Sequence, residues 1–570
     1  MKLILRYLKP LAGTMAFGLS VKVFATLMEL SLPYILSYIL DSVVPIGQVA
    51  PILIWGGAMV FAALMAMLGN VIANRNAAKV AKIAARQIRH DLFDATMHLS
   101  SRQVDAFTVP SLESRLTSDT YNVHHFIGMM QRVGIRAPIL LIGGICITLF
   151  LDWRLSLILL AVLPLIGVSV FFITMRGLPL YRKNQQAVDG MVRVVREDCQ
   201  GVRVIKALSK EDFEARRFDA ANRKLVTAER RAGVTMAASQ PVMNFFLNLG
   251  LVAVIVCGAY FVNGGLSKPG RIIAFIQYFT LMSTAMTTVT RIFVQYTKSL
   301  ASANRIGEVL SAADHHRTSA EPPRTGESYL VFDNVSFSYN GKKDNLSHIS
   351  FTLPKGGTLG IIGATGSGKT TLLQLLMRFY DADSGSIYIG GRNLYSYPEE
   401  ELRALFGVAM QNDFISADTV EENIRFGRKI SDEAVRRAAE LAQASEFIEA
   451  FEDGYSHELT AKGTNVSGGQ KQRILVARAL AGNPDILVLD DASSALDYKT
   501  DAALRRAIRE HTHATTVVVA QRVSSVRSAD LILVLEHGRI IGSGTHDELM
   551  ERCPVYREIS ESQMGGAFLE

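Results

Sequence analysis

The chain of 570 residues carries a net charge of +7, and 49% of its residues are hydrophobic. This length accommodates about four soluble domains, or a membrane domain followed by a soluble one. The four cysteines lie far apart without metal-ligand spacing, which predicts neither a disulfide framework nor a zinc site. The positive charge lies mainly between hydrophobic runs, so it favours a lipid bilayer rather than nucleic acid as the partner.

Long apolar stretches crowd into the first 300 residues or so. A hydrocarbon core about 30 Å thick requires roughly 20 mostly apolar residues per helix. Six stretches qualify, with approximate bounds 12–40, 51–74, 134–151, 155–176, 242–263 and 271–298. No small-residue cleavage site follows the first, so we expect it to stay in the protein as a span. The N-terminus and the long gaps are rich in Lys and Arg, which predicts that they and everything after span six lie in the cytoplasm.

The long gaps between spans carry helical patterns of their own. Residues 73–100 are rich in Ala, Lys and Arg with a helical apolar period, so we interpret them as span two continuing into the cytosol. A helix of some 50 residues would be about 75 Å long. The pattern breaks around Val109 and Pro110, because proline cannot continue a helix. The gap before span five repeats this plan, with a turn predicted near Ser209–Phe213.

Ionisable residues inside spans are costly and often functional. Lys22, Glu29 and Arg291 are the candidates, and Glu29 is the deepest; it has either a role in transport or a structural hydrogen bond. Span six also has an apolar face that suits helix packing or the lining of a path for a bulky amphipathic substrate. The members of that face are Phe275, Phe279, Met282, Met286, Val289, Phe293 and Tyr296.

The composition changes after Leu310. Residues 311–328 are polar and contain prolines, as is typical of a linker. From residue 329 onward, β-branched runs alternate with helical patterns, as in nucleotide-binding α/β domains. We therefore predict an all-α membrane domain of six transmembrane helices with long cytosolic extensions over residues 1–310, a linker over 311–328, and an α/β nucleotide-binding domain over 329–570.

A phosphate-binding motif opens the second domain. The sequence TLGIIGATGSGKTTLLQLL predicts a buried strand, a glycine-rich turn and a helix, and it fills the P-loop pattern with Gly363, Gly368, Lys369 and Thr370. Backbone N–H groups of such a turn close around phosphates, aided by the positive end of the helix. The lysine reaches the β- and γ-phosphates, and the Thr370 hydroxyl ligates Mg²⁺.

Two further motifs follow. ILVLDD predicts a second buried strand that ends in Asp490, whose carboxylate suits the Mg²⁺ shell. Between the two strands, the sequence SGGQ at residues 467–470 precedes a helix, where exposed glycines form another anion site. Taken alone, SGGQ also fits a plain loop and helix cap; in this order of motifs it is far more specific.

The order of these motifs resembles that of the ATP-binding cassette (ABC) exporters of half-transporter type, over essentially the whole chain. The resemblance implies ATP-driven export, ATP and Mg²⁺ as cofactors, and a place in the cytoplasmic membrane. It also implies a second half-transporter as partner, because in this family two cassettes close head to tail on two ATP molecules. An ATP-gated channel or regulator on the same scaffold is the alternative from another class, whereas six spans exclude a soluble cassette ATPase that acts on nucleic acid.

The resemblance also implies a role for each motif residue. Tyr339 stacks on adenine, Gln411 contacts Mg²⁺ and senses the membrane domain, and Asp497 links the two sites. The SGGQ residues, called the signature in this family, contact the γ-phosphate of the ATP that the other chain holds in its glycine-rich P-loop, the Walker A loop. The nucleotide-binding set is Tyr339, Gly363, Thr365, Gly366, Ser367, Gly368, Lys369, Thr370, Thr371, Ser467, Gly468, Gly469, Gln470 and Asp497; the metal ligands are Thr370, Gln411 and Asp490; the catalytic set is Asp491, Gln521 and Gln411.

Two residues depart from the family pattern. Asp491 stands where a glutamate usually polarises the attacking water, and Gln521 replaces the histidine of the switch region. These changes predict a degenerate, weakly hydrolytic ATP site, as in heterodimeric ABC exporters, while the nearly standard signature would complete a competent site on a different partner chain. Harmless drift and a homodimeric exporter with slow turnover are the alternatives.

Overall fold

Long helices form the first part of the chain, and two sheets with flanking helices form the second. The computed structural model describes residues 1–312, 328–411 and 414–566. It divides into two compact units: Met1–His98 with Phe107–Ala312, and Leu99–Ala106 with the described residues after 327. The predicted linker over 311–328 lies almost wholly outside the described residues.

Six candidate membrane spans lie in the first unit, as predicted. They fall within Lys2–Ile46, Val49–Met97, Val109–Leu151, Trp153–Ala207, Glu211–Asn263 and Pro269–Leu310. The individual helices are α1 (Lys2–Leu8), α2 (Ala12–Tyr38), α3 (Val49–Met97), α4 (Ser101–Phe107), α5 (Val109–Ser114), α6 (Thr120–Met129), α7 (Arg136–Leu151), α8 (Trp153–Ala207), α9 (Glu211–Ala237), α10 (Ser239–Asn263) and α11 (Pro269–Leu310).

The cytosolic extensions are continuous with the spans. Helix α3 has 49 residues, so it is about 74 Å long and continues span two beyond any bilayer, as predicted. The predicted turn before span five is confirmed, since α8 ends at Ala207, Ser209 has a φ of 49°, and α9 begins at Glu211.

The predicted break around Val109 and Pro110 is confirmed, since α4 ends at Phe107 and α5 begins at Val109. This proline lies in the first turn of α5 and so begins a helix rather than ending one. The first turn of a helix tolerates proline because its N–H groups have no intrahelical partner. The chain breaks just before it, at Thr108, which has a φ of 62°.

Side chains from several spans build the core of the membrane unit. Phe275, Phe279 and Met282 of the span-six face are buried there, whereas Phe293 is 68% exposed. The Tyr278 hydroxyl donates to the buried carbonyl of Leu30 at 2.7 Å and ties α11 to α2. The outer half of the span-six face therefore packs helices together.

Two of the three candidate ionisable residues inside the spans, Glu29 and Lys22, contact polar side chains of other helices. Arg136 donates to both carboxylate oxygens of Glu29, with Nε 3.1 Å from Oε2. The Nζ of Lys22 donates to the side-chain oxygens of Asn70 at 2.6 Å and Asn74 at 3.2 Å. These contacts favour the structural interpretation of Glu29, because a paired carboxylate is far less costly in a bilayer than a lone one.

The second unit contains a six-stranded sheet and a four-stranded sheet. Their orders are β10-β9-β3-β8-β7-β6 and β2-β1-β4-β5. In the six-stranded sheet every pairing is parallel except β9 with β10, and the four-stranded sheet is antiparallel. The strands are β1 (Ser328–Phe337), β2 (Leu346–Pro354), β3 (Thr358–Ile362), β4 (Ser384–Ile389), β5 (Arg392–Asn393), β6 (Phe406–Ala409), β7 (Ile486–Asp490), β8 (Thr515–Val519), β9 (Leu531–Glu536) and β10 (Arg539–Gly544).

Helices accompany these sheets, which gives the predicted α/β fold. Every residue of β7 is buried, as expected for a parallel strand covered on both faces. The helices are α12 (Lys369–Leu376), α13 (Glu399–Ala404), α14 (Val420–Arg425), α15 (Asp432–Leu441), α16 (Ser445–Glu449), α17 (Gly468–Leu480), α18 (Tyr498–His511), α19 (Val523–Val526), α20 (His546–Arg552) and α21 (Pro554–Gly566).

Candidate functional site

The predicted catalytic residues meet at one edge of the six-stranded sheet. Strands β3, β8, β7 and β6 are neighbours and run parallel, so their carboxyl ends lie side by side. Ligands of open α/β sheets bind beyond these ends. The residues that follow the four strands are the glycine-rich loop after β3, Gln521 after β8, Asp491 after β7 and Gln411 after β6.

The glycine-rich loop borders a cavity of about 290 Å³. Gly368 has a φ of 104° and precedes α12; a Cβ there would lie 2.7 Å from the side chain of Leu346. This position therefore requires glycine, both for its left-handed backbone and for space. The cavity is lined by Asn345, Thr365, Gly366, Gly368, Lys369, Thr370, Thr371, Gln411, Asp490, Asp491, Val519, Ala520 and Gln521.

The ammonium of Lys369 lies over the loop. Its Nζ donates to the carbonyl oxygens of Gly363 at 2.8 Å and Ala364 at 2.9 Å. Burial lowers the pKa of Lys369, whereas the carboxylates of Asp490 and Asp491 act in the opposite direction. These backbone contacts hold the charged group beside the positions that phosphates take in such loops.

The end of β7 supplies a buried carboxylate. The Thr370 hydroxyl lies 3.3 Å from the Oδ2 atom of Asp490, and burial raises the pKa of this carboxyl group. Both donors are oxygens, which Mg²⁺ prefers, and this ion commonly takes one or two carboxylates together with substrate phosphates and water. Among the described residues no group of three or more His, Cys, Asp and Glu could hold a metal by itself. The site therefore fits Mg²⁺ that arrives with a nucleotide.

Asp491 is at the centre of the three predicted catalytic residues. Its Oδ2 atom lies 3.4 Å from Nε2 of Gln411 and 3.5 Å from Nε2 of Gln521. Its backbone has a φ of 51°, uncommon for a residue with a side chain. Burial raises the pKa of the Asp491 carboxyl group, while Lys369 and Arg522 act in the opposite direction.

Tyr339, the predicted adenine-stacking residue, lies beside the helix that follows the loop. Its hydroxyl is 3.2 Å from the hydroxyl of Thr371, and its ring packs edge-on against Phe337 and Tyr380. The ring remains 41% exposed. The side chain is thus fixed at its tip and sides, and part of its surface is free for a flat ligand.

The SGGQ segment begins helix α17 with a capping box. The Ser467 hydroxyl accepts from the N–H of Gln470 at 3.2 Å, and the Gln470 side chain accepts from the N–H of Ser467 at 2.9 Å. A separate cavity of about 450 Å³ lies over this helix N-terminus. Asp497 also borders that cavity, and its carboxylate caps α18 through the N–H of Thr500 at 3.1 Å.

The cavity at the glycine-rich loop (the loop cavity) and the cavity at SGGQ (the signature cavity) have no lining residue in common. The phosphate-binding loop and SGGQ therefore border two separate cavities within this unit, one at Lys369 and one at Ser467.

Sequence reasoning missed several residues around the site. Asn345 lines the loop cavity and accepts from the N–H of Tyr339 at 3.1 Å. Gln472 ties the signature helix to the segment after β7: its Nε2 donates to the Ser494 hydroxyl at 2.9 Å, and its Oε1 accepts from Ala495 N–H at 2.9 Å. The position of Gln472, two residues after SGGQ, could have indicated a role at the site, whereas nothing in the sequence around Asn345 indicated one.

Known proteins with the same organisation cover nearly the whole chain. The models of the ABC transporter transmembrane region and of the ABC transporter ATP-binding region match residues 15–286 and 346–494. The uncharacterised ABC transporter ATP-binding protein YfiB of Bacillus subtilis is 33% identical over 98% of both chains. The putative multidrug export ATP-binding/permease protein YgaD of the same organism is 32% identical over 98% of both.

A solved structure shares the fold. It is a bacterial Atm1-family ABC exporter with ATP bound, with a TM-score of 0.80, 24% identity, and coverage of 97% of this chain and 98% of that one. Together with six spans, these matches place the nucleotide-binding unit on the cytoplasmic side of a multi-pass membrane protein. The chain belongs to the ABC transporter family, with its membrane region and its ATP-binding domain fused in one polypeptide.

Proposed function

We propose that the chain is one half of an ATP-driven exporter in the cytoplasmic membrane, paired with a different half-transporter. Export is supported by the fused arrangement and by the similarity to YgaD, a putative multidrug export protein. Two cassettes that close on ATP would draw the cytosolic extensions together and reopen the spans outward, and hydrolysis would reset the cycle.

The nucleotide site in this proposal is the loop cavity. Lys369 and the loop N–H groups bind the β- and γ-phosphates, and Tyr339 stacks on adenine. The Thr370 hydroxyl and the Asp490 carboxylate hold Mg²⁺, with Gln411 beside them. When bound, Mg²⁺ neutralises charge that develops on the phosphates.

The proposal that the two halves differ rests on one observation. The Asp491 carboxylate accepts hydrogen bonds from two neutral amides, those of Gln411 and Gln521. Aspartate is one methylene shorter than glutamate, about 1.5 Å. A misplacement near 1 Å lowers a rate by about a hundredfold. Gln521 donates a hydrogen bond but carries no charge. Both features weaken hydrolysis at this site, whereas the ATP-binding residues are intact.

The signature of this chain supports the other half of the proposal. Ser467 and its two glycines stand at a helix N-terminus that is open to a second phosphate group. They would complete the site formed by the partner's phosphate-binding loop. That partner should carry glutamate and histidine at the positions that correspond to Asp491 and Gln521.

The pairing is tested by purifying this chain alone and together with a half-transporter encoded next to it. We expect robust ATPase activity only in the mixed complex. Labelling with 8-azido-ATP during turnover should leave intact nucleotide on this chain. A homodimer that hydrolyses ATP as fast as the mixed complex would contradict the proposal and favour a homodimeric exporter.

The chemical cause is tested by Asp491→Glu. The longer side chain should raise turnover at this chain's site by at least tenfold, and Gln521→His should add to that only when glutamate is present. Asp453→Glu, which makes the same change at an exposed position, is the matched control. Unchanged turnover in Asp491→Glu would mean that the shorter carboxylate is not the cause of the low activity.

A further inference from the structure

A polar cavity lies between helices α10 and α11 of the membrane unit. Its volume is about 770 Å³, within the range of cavities that hold small molecules. Counted from Pro269, where α11 begins, Phe279 lies about 15 Å and Arg291 about 33 Å along the helix axis. The cavity thus extends from the middle of a bilayer to its cytoplasmic boundary. It is lined by Met243, Asn244, Leu247, Asn248, Leu251, Phe279, Thr280, Ser283, Thr284, Thr287 and Arg291.

A row of threonines on α11 presents hydrogen-bond acceptors to this cavity. The hydroxyls of Thr280, Thr284 and Thr287 donate to backbone carbonyls four residues earlier, at 3.0, 3.1 and 3.1 Å. A hydroxyl has one proton, so each has only lone pairs left for a ligand. A molecule with N–H or O–H donors therefore contacts this row without breaking these hydrogen bonds.

Arg291 supplies positive charge at the cytoplasmic end. Its hydrogen-bond partner is the hydroxyl of Thr288 at 3.4 Å, and among the described residues no carboxylate pairs with it. Other arginines of the helical unit do have such partners: Arg136 pairs with Glu29, Arg271 with Asp152 and Arg305 with Asp119. An arginine without a carboxylate beside a cavity is available to bind an anion.

This polarity does not suit contact with lipid tails. Asn248 and Thr284 are exposed on their helices within the spans. A polar group that faces hydrocarbon without a partner is costly, so such residues face the interior of a helix bundle or a water-filled cavity rather than lipid. Of the seven members of the span-six apolar face, Phe279 borders the cavity. A complementary ligand therefore has an apolar part for Phe279, hydrogen-bond donors for the threonine row and an anionic group for Arg291.

We propose that this cavity binds the exported substrate, and that the substrate is an amphipathic organic anion with hydrogen-bond donors. Its anionic group pairs with Arg291, its donors with the threonine row, and its apolar body lies beside Phe279. This inference rests on the proposed export function and specifies the substrate class. It narrows the bulky amphipathic substrate expected from the sequence to an anion.

The test uses two dyes that share a xanthene ring and differ in the sign of their charge: 5-carboxyfluorescein, an anion, and rhodamine 123, a cation. The complete complex, reconstituted in phosphatidylcholine, should bind the anionic dye more tightly by fluorescence anisotropy. Arg291→Ala should weaken that binding about tenfold, and Arg291→Lys should retain most of it. Thr284→Val should weaken it less. Arg203→Ala and Thr297→Val, exposed positions outside the cavity, are the matched controls.

Transport is measured separately, as ATP-driven dye uptake into inside-out vesicles. Binding that depends on Arg291 without uptake would contradict the export function and leave the site standing. Equal binding by Arg291→Ala, or a preference for rhodamine 123, would overturn the site and leave export untouched. Phosphatidylglycerol is itself an amphipathic anion with hydroxyl donors, so if it displaces the dye from the wild type, the anion that the cavity takes is a lipid rather than a water-soluble compound.

Discussion

Asp491 combines a short side chain with an environment that disfavours its charge. Burial raises the pKa of its carboxyl group, and the side chains that hydrogen-bond to that group, Gln411 and Gln521, are neutral amides. A carboxylate that polarises water must be ionised. As the pH falls, this group becomes protonated at a higher pH than an ordinary aspartate, whose pKa is about 3.9.

The residual ATPase of the purified chain should therefore show an acid limb that begins above the usual aspartate range. Asp491→Asn should remove the dependence of kcat on this group and leave a low, flat rate. Asp490 also has a raised pKa, so the assay is run at saturating Mg²⁺ and ATP, where loss of binding is compensated. If wild type and Asp491→Asn have the same kcat profile, Asp491 does not take part in hydrolysis. Asp453→Asn is the surface control.

At the scale of elements, the C-terminal helix α21 contacts the segment that contains Gln521 (residues 521–526, the switch segment). Gln563 of α21 accepts from the N–H of Val523 at 2.8 Å and donates to the carbonyl of Gln521 at 2.8 Å. One side chain thus fixes the backbone on both sides of Arg522. Each such hydrogen bond contributes roughly 0.5–1.5 kcal/mol.

Removal of this bridge should loosen the segment without unfolding the domain. In Gln563→Ala we expect amide hydrogen exchange across residues 521–526 to accelerate about tenfold, because local opening reports the lost hydrogen bonds. Gln563→Glu keeps the acceptor for Val523 and should give a smaller effect. Glu561→Ala, a neighbouring exposed position on α21, should leave exchange unchanged. Wild-type exchange in Gln563→Ala would mean that other contacts hold the segment.

Local patterns predicted the elements and the motifs of the site, but not the contacts between distant segments. Apolar length predicted the six spans, and the glycine-rich pattern after β3 predicted the loop that Gly368 requires. The partner of Glu29, Arg136, lies 107 residues away, and Gln563 lies 42 residues from Gln521. Such pairs depend on how the helices pack, and the packing of distant helices cannot be predicted from local periodicity or motif spacing. At Pro110 the sequence predicted the break in the helix, but not that the proline would lie in the first turn of the helix that follows.

At the scale of the whole molecule, the proposed pairing of cassettes has a reciprocal consequence, because the Lys369 loop and the Ser467 segment border separate cavities. In that pairing the SGGQ segment contacts the phosphate that the loop of the other cassette holds, and Lys369 holds the phosphate that the other cassette's SGGQ segment contacts. Loss of one loop should thus be detected on the opposite chain. This reciprocity distinguishes head-to-tail closure from two cassettes that bind ATP independently.

Amide hydrogen exchange of the mixed complex measures this directly. With ATP bound, the N–H groups of Gly468 and Gly469, in the first turn of α17, should become protected. Lys369→Ala in this chain should abolish protection of the partner's signature and preserve that of Gly468 and Gly469, whereas the equivalent change in the partner should do the reverse. Lys499→Ala, which leaves the loop intact, serves as the control. A complex that loads ATP while its Ser467 segment stays open to solvent would rule out closure, because protection requires a second cassette to cover the N-terminus of α17.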